Sequence, residues 1–389
     1  MMLGLSALSL FLFSCNDQNS LEQQSEAIIR KHTIRFTEPP KRIPNRNSVD
    51  APLLGNGFTG VALAGPPEAQ TFYVARNDFW RLKSALDESY PLVLGKIELS
   101  IPALEGASYL VEQQLYDATT TARFTKDNQS VSYKTYVSAT EDLLVVELEM
   151  DGEGSIEGHV NLSLPGEKEI INKPPLERVF PDEREVGITK EGVLYLWRAF
   201  EDSVDIPTKA AMALRMDQSS DGSFVLEPGK PVRMVCAFSS NFKSNDCVSD
   251  VIGRASDCSS SHLKEVEKHH QEWWKDYWQK SFVSIPDSVI EKQYYLSLYG
   301  TASCSRDKDF PPSIFGTWIT RERPNWNGDY HLNYNHMAPY YGLYSSNRIE
   351  QADPYYMPML ALISRGNYYS EKVTGIPDGI LLPVGAGPL

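Results

Sequence analysis

Basic runs, paired cysteine motifs and long apolar stretches are all scarce in this 389-residue chain, and each shortage removes a class of protein. Lysine and arginine number 37 against 51 acidic residues, a formal charge of −14, with the cations scattered singly or in pairs. A polyanion would be repelled, so nucleic acid is not an expected partner. Cysteine occurs five times. Cys236, Cys247, Cys258 and Cys304 show no C-x-x-C spacing and no histidines at zinc-finger offsets, which argues against a structural metal. Two of them, Cys247 and Cys258 for instance, could pair in an exported protein. No cofactor-binding fingerprint is legible. The apolar N-terminal run "MMLGLSALSLFLFSC" is too short to span a bilayer as a mature helix.

That run ends on a small residue followed by Cys15, the logic of an export signal, although a basic n-region is missing. "LFSC" resembles the bacterial lipoprotein signal, in which the cysteine becomes the lipidated first residue. The expectation is a signal over residues 1–15, a solvated polar tether over 16–32, and a mature protein held on a bacterial envelope membrane by its lipid alone. An uncleaved leader is the plainer alternative.

What the chain does have is hydrophobic residues at 41%, aromatics at 11%, and two changes of period. From about Thr33 the pattern alternates, as in "GKIELSIP", "LLVVELEM", "GVLYLWRAF" and "PVRMVCAFSS", with turn formers between several segments. This predicts a large antiparallel β-sandwich over 33–258. Around Ser259 the period lengthens: Leu263, Val266, His270, Trp273 and Tyr277 fall three and four apart behind serine caps, which predicts a helical linker over 259–285. His269 and His270 point about 100° apart on such a helix and so suit surface and packing roles better than one metal. Residues 286–389 read as helices joined by long aromatic loops.

The segment "PNWNGDYHLNYNHM", Pro324 to Met337, is polar and aromatic with few residues for a core. Asn333 and Asn335 are two apart, so in an extended segment both amides face one side and could hold a water or a sugar hydroxyl. An amide is no general base at neutral pH, so a carboxylate would have to take the proton. Trp318, Trp326, Tyr330 and Tyr340 offer stacking surfaces, while Asn327, Asp329 and His336 offer polar contacts to an oligosaccharide. A polar loop satisfying its own turns is the competing reading. Asn77 and Trp80, in "ARNDFW", could reach the same ligand from the β-domain, or form a turn anchored by a buried indole.

"PPSIFGTWITRERPNWNGDYHLNYNHMAPYY" resembles the six-hairpin glycosidases, glycoside hydrolase family 95 in particular, with its G-x-W, W-x-x-x-Y and N-x-N-x-M spacings. "PLLGNGFTGVALAG" resembles the family's L-G-N-G-x-x-G opening, and "ARNDFW" its N-E/D-x-x-W turn. The resemblance implies an α+β multidomain chain: the sandwich, the linker, then part of an (α/α)6 barrel. It implies an inverting hydrolase, possible on α-L-fucosides, in which Asn333 and Asn335 match the asparagine pair that positions the attacking water. The family's helper aspartate and general-acid glutamate lie further along its chain. Asp329 is a nearby carboxylate, but the resemblance does not assign it the helper's role. Neither Glu350 nor Glu371 sits where the motif would place the acid. A full barrel needs twelve helices, whereas the residues after Pro286 suffice for roughly three to five. The expectation is a C-terminally truncated glycosidase that is inactive alone, with a non-catalytic glycan-binding surface lipoprotein as the alternative.

Overall fold

A computed structural model describes residues 21–83, 89–166, 182–202 and 204–388. The expected signal, Cys15, and the first part of the tether lie outside the described residues.

Alternating burial resolves into two antiparallel sheets. The larger runs in the order Ile34–Phe36 (β1), Ser108–Gln114 (β6), Thr119–Lys126 (β7), Gln129–Val137 (β8), Leu143–Asp151 (β9), Val232–Ser240 (β15), Thr208–Met216 (β13), Leu194–Phe200 (β12) and Glu183–Ile188 (β11). The smaller runs Ser223–Leu226 (β14), Ile156–Ser163 (β10), Tyr90–Ser100 (β5), Ala69–Arg81 (β4), Thr59–Ala64 (β3) and Leu53–Gly55 (β2). Their inner faces share a core that includes Phe72, Val74, Leu94, Phe124, Val146 and Met212. Inward-facing apolar residues at every second position are what fix strand register, since a one-residue slip would turn each of them to solvent.

"ARNDFW" is not a turn. It lies within β4, where the pairing with β5 shifts register between Val74 and Ala75 and again between Ala75 and Trp80. A bulge of this kind bends the strand and re-aims its side chains. The polar run expected as a solvated tether is also different from residue 21 onward: residues 21–29 form helix α1. Ile29 is fully buried against the helical core, and Arg30 grips Asp117 through two hydrogen bonds of 2.5 and 2.7 Å. A small apolar face and a bidentate ion pair dock a segment whose average composition is polar.

Helix α2, Cys247–Ser256, was not legible as a helix. It lies on the outer face of the larger sheet, where Val251 and Ala255 join Val145, Ala211 and Ala213. Cys236, Cys247, Cys258 and Cys304 are all free thiols, so the suggested Cys247–Cys258 bridge is absent. Each thiol is held up in pKa by burial, Cys258 to about 11 and Cys304 to about 12.

Helix α3, Ser260–Gln279, starts at the Ser259 cap, whose side chain accepts from the His262 N–H. Its buried stripe is Leu263, Val266, His270, Trp274, Tyr277 and Trp278. Trp274 rather than Trp273 is the core residue, because a straight helix drifts from the strict three-four spacing. His269 is exposed and His270 buried. His270 accepts from the Ala139 N–H at Nδ1 (3.1 Å), and its Nε2 donates to the Asp117 carbonyl (2.9 Å), which defines the neutral tautomer. Burial pushes its pKa down to about 4. Helix α4, Ser288–Cys304, packs Tyr295, Leu298 and Tyr299 onto Trp274 and Trp278. Beyond it follow α5 (Tyr334–Ser345), α6 (Ile349–Ala352), α7 (Tyr356–Ala361) and α8 (Ile363–Tyr369).

Candidate active site

Between α4 and α5 the chain folds back over the sandwich, and that return carries most of the residues singled out above. Six backbone positions there have positive φ: Gly316 (72°), Arg323 (50°), Trp326 (52°), Asn327 (55°), Gly328 (59°) and His331 (44°). For the four non-glycine residues this conformation costs of order 1–3 kcal/mol each, so the surroundings must hold it. They do so from both sides. The Asn325 N–H donates to the Arg46 carbonyl (3.0 Å) and Arg46 Nε to the Arg323 carbonyl (2.9 Å). The Ile314 N–H donates to the Asp329 carbonyl (3.1 Å), and buried Arg198 on β12 donates to Glu322 at 2.6 Å. At Gly328 a Cβ would meet the Pro91 ring at 2.8 Å, so only glycine permits that approach.

The strained loop presents Trp326 to solvent, 61% exposed, with Phe315 stacked beside it at 6.3 Å. His331 lies 5.8 Å from the same indole, and its Nδ1 is 3.0 Å from Asp329 Oδ1. Asp329 is buried, and that burial raises its carboxyl pKa despite the His331 contact. His331 was not among the expected site residues. Its signal was the D-x-H spacing, which in this loop joins a carboxylate to an imidazole.

Asn333 and Asn335 are both exposed, but not in the extended segment their spacing implied. Asn333 is the N-cap of α5: its Oδ1 accepts from the Asn335 N–H at 3.1 Å. One amide oxygen of the pair is therefore spent on the helix, while the Asn335 side chain stands in the first turn. Beneath them His336, Tyr340 and Tyr355 form an aromatic base with Tyr330. Burial holds the His336 imidazole neutral, with a pKa down to about 4.

Besides the buried Asp329, six residues expected to contact substrate are packed wholly or partly inside. Tyr330 is wholly buried beside Trp80 (5.6 Å), and Trp80 donates through Nε1 to the Asn77 carbonyl at 2.8 Å. His336 is 6% exposed in the base just described. Asn77 donates through Nδ2 to the carbonyls of Gly57 (3.0 Å) and Cys304 (2.8 Å) and accepts from Thr317 Oγ1 (2.7 Å), so its amide is committed. Trp318 is half-buried; its Nε1 donates to the Leu54 carbonyl at 2.7 Å and its ring packs near Ala62 and Tyr73. Tyr340, the further stacking surface, is buried too. The sequence showed aromatic and amide residues but not which faces the sandwich would take. Asn327, half-buried, occupies one of the left-handed positions beside Trp326.

What the loop leaves outward is one indole, the half-buried His331 imidazole over the buried Asp329, and the Asn335 amide. That set can stack on a pyranose ring and exchange hydrogen bonds with hydroxyls or a water. Glu350 and Glu371 lie in exposed ion pairs with Lys280 (2.9 Å) and Lys372 (2.8 Å). Among the described residues there is no cluster of three metal-binding side chains, and no helix is long and apolar enough to cross a membrane.

Residues 259–384 match the family model described as the glycosyl hydrolase family 95 catalytic domain. In fold the chain is similar to a human-microbiome protein assigned as a kojibiose phosphorylase, at 12% identity and a TM-score of 0.61, over 91% of this chain and 53% of that one. A bacterial glucoamylase solved with acarbose aligns at 8% identity and TM-score 0.41, over 86% and 54% of the two chains. A family GH92 α-mannosidase from Bacteroides thetaiotaomicron aligns at 9% and 0.29, over 67% and 40%. The chain thus spans about half the length of the first solved structures it matches. No curated protein is matched by sequence. With sandwich, linker helices and helical segment in this order, the chain shares the fold of the first of these structures. Within the chain, the helical segment is the part that resembles family 95.

Proposed function

We propose that this chain is part of a glycoside hydrolase that acts on glycans with inversion, with α-L-fucosides the first substrates to try. The observation that carries the reading is the match of residues 259–384 to a glycosidase catalytic domain, centred on a segment that exposes the Asn335 amide at the start of α5. In this reading the Asn335 side chain holds the attacking water and Asn333 fixes the turn from which it projects. Trp326 stacks on a sugar ring beside them.

Inversion needs a water on the face opposite the leaving group and two proton-transfer groups. Asn335 orients the water but cannot take its proton. The raised carboxyl of Asp329, bonded to His331, is the nearest carboxylate in sequence to the asparagine pair. The reading assigns the general acid to none of the described residues, since Glu350 and Glu371 are surface ion pairs. Loss of a general acid typically lowers rate by about a hundred- to ten-thousand-fold, so weak turnover is expected from these residues alone. Release of aryl alcohol from aryl α-L-fucosides and other aryl glycosides, by this chain and by a longer form carrying further helices, tests it. Hydrolysis by neither, under conditions where both are folded, would overturn the reading.

On sequence alone we further propose that Cys15 carries the lipid and that the protein sits on a bacterial envelope membrane. An unmodified Cys15 by mass spectrometry of protein from its host would refute this.

A further inference from the structure

On a different face, where the sandwich meets the linker helices, lies a cleft of about 430 Å³ that shares no residue with the loop described above. Its walls carry four cations, Arg76, Lys243, Arg254 and Arg306, and three carboxylates, in a chain of formal charge −14. The carboxylates are engaged. Asp142 accepts from Asn56 Nδ2 (3.0 Å) and from Arg76; Glu141 pairs with His262 (3.2 Å); Asp250 lies 3.8 Å from Arg254. Arg76 is further neutralised by Asp78 behind it, at 2.9 Å.

Arg306 is different. Among the described residues no carboxylate lies within ion-pair distance of its guanidinium. Its Nη1 donates to the carbonyls of Asn56 (2.9 Å) and Ala139 (2.7 Å), and the group lies 4.2 Å above the Trp273 ring and 5.8 Å from that of Phe58. Burial has lowered its pKa to about 10. Lys243 Nζ stands over the same Phe58 ring at 5.3 Å, with one partner, Asp307, at 2.8 Å. An ammonium carries three donors and a guanidinium five, so both cations keep hydrogens to give. The valences left open in this cleft are thus donors on cations around an aromatic floor, while its acceptors are largely taken.

We propose that this cleft binds an oxyanion, held by Arg306 and Lys243 across Phe58. A planar or tetrahedral anionic oxygen group suits the guanidinium fork. Two sources supply that chemistry: a free inorganic anion such as sulfate or phosphate, or the carboxylate of an acidic sugar. The site is independent of the Asn335 reading, and either can fail alone.

The test adds a charge at the rim instead of removing a contact. Thr140 is exposed and lines the cleft, and its backbone N–H donates to Ser138 Oγ (3.4 Å). Calorimetric titration of the whole chain with sodium sulfate, sodium phosphate and sodium D-glucuronate, at an ionic strength fixed with sodium chloride, should give saturable binding of at least one. Thr140→Asp should weaken that binding on the order of tenfold or more, the scale of a unit charge nearby at intermediate dielectric. Ser244→Asp, at another point of the wall, repeats the test if the first variant folds poorly. Sulfate or phosphate binding identifies a free-anion site, and glucuronate alone an acidic-sugar site. No saturable binding of any probe, or binding that both variants leave unchanged, overturns the proposal.

Discussion

Replacing Asn77 by alanine separates a substrate-binding amide from a structural one. The side chain makes three buried hydrogen bonds, to Gly57 O, Cys304 O and Thr317 Oγ1, joining the β4 bulge to the end of α4 and to the segment that leads into the strained loop. A buried hydrogen bond is worth about 0.5–1.5 kcal/mol net, and an orphaned partner costs about 1–3 kcal/mol. Thr317 Oγ1 already lies 3.5 Å from the Cys304 carbonyl and can turn to it, recovering one partner. The expected loss for Asn77→Ala is therefore about 2–4 kcal/mol. Asn77→Asp should cost at least as much near neutral pH, because it sets a carboxylate against two carbonyl oxygens. Urea unfolding followed by tryptophan fluorescence reads both, with the slope unchanged if only stability moves. A loss under about 0.5 kcal/mol for Asn77→Ala, the range of ordinary surface substitutions, would refute the reasoning.

Other consequences follow from burial. His270 and His336 both have pKa values depressed to about 4. From about pH 6.5 down to 4 the unfolded chain takes up protons that the native imidazoles refuse, so stability is present above 6.5 and is lost across that window, by about 3 kcal/mol per histidine. His270→Gln should flatten the midpoint-against-pH curve in that range; an unaltered slope contradicts it. The thiols of Cys236, Cys247, Cys258 and Cys304 should react with a thiol reagent only on unfolding, and a reductant should leave Tm unchanged; a reductant-sensitive Tm would mean a bridge after all. Trp326→Ala should shift stability by under about 0.5 kcal/mol yet raise KM, given the exposure of the ring; a large loss of stability with unchanged KM would make it a packing residue.

The strands were legible because a half-buried sheet writes its period into the chain, as β10 and the end of β5 do. Helix α3 was legible through its cap and stripe. Helix α2 was hidden because ten residues with a glycine inside offer little period, and its face is set by the sheet beneath it. Helix α1 was hidden by a polar composition that docks through a few residues. At the site the asparagine pair could be found, but its geometry could not: spacing two on a strand and at a helix start are the same string, and only the cap distinguishes them. Likewise Tyr330 and Trp326 look alike in sequence. One is buried and one exposed because the left-handed run from Trp326 to Gly328 turns one outward and leaves the other against Trp80.

The central claim of the proposed function is that Asn335 holds the attacking water while Asn333, as the N-cap, fixes the turn from which Asn335 projects. Proton NMR of a hydrolysed glycoside, with the anomer followed as it forms, measures it most directly in the longer form beside Asn335→Ala and Asn333→Ala. The account predicts first-formed product of inverted configuration, turnover lost in both variants, and a stability loss of about 1 kcal/mol confined to Asn333→Ala, the cost of a missing N-cap. Retained configuration, or full activity in Asn335→Ala, would contradict it.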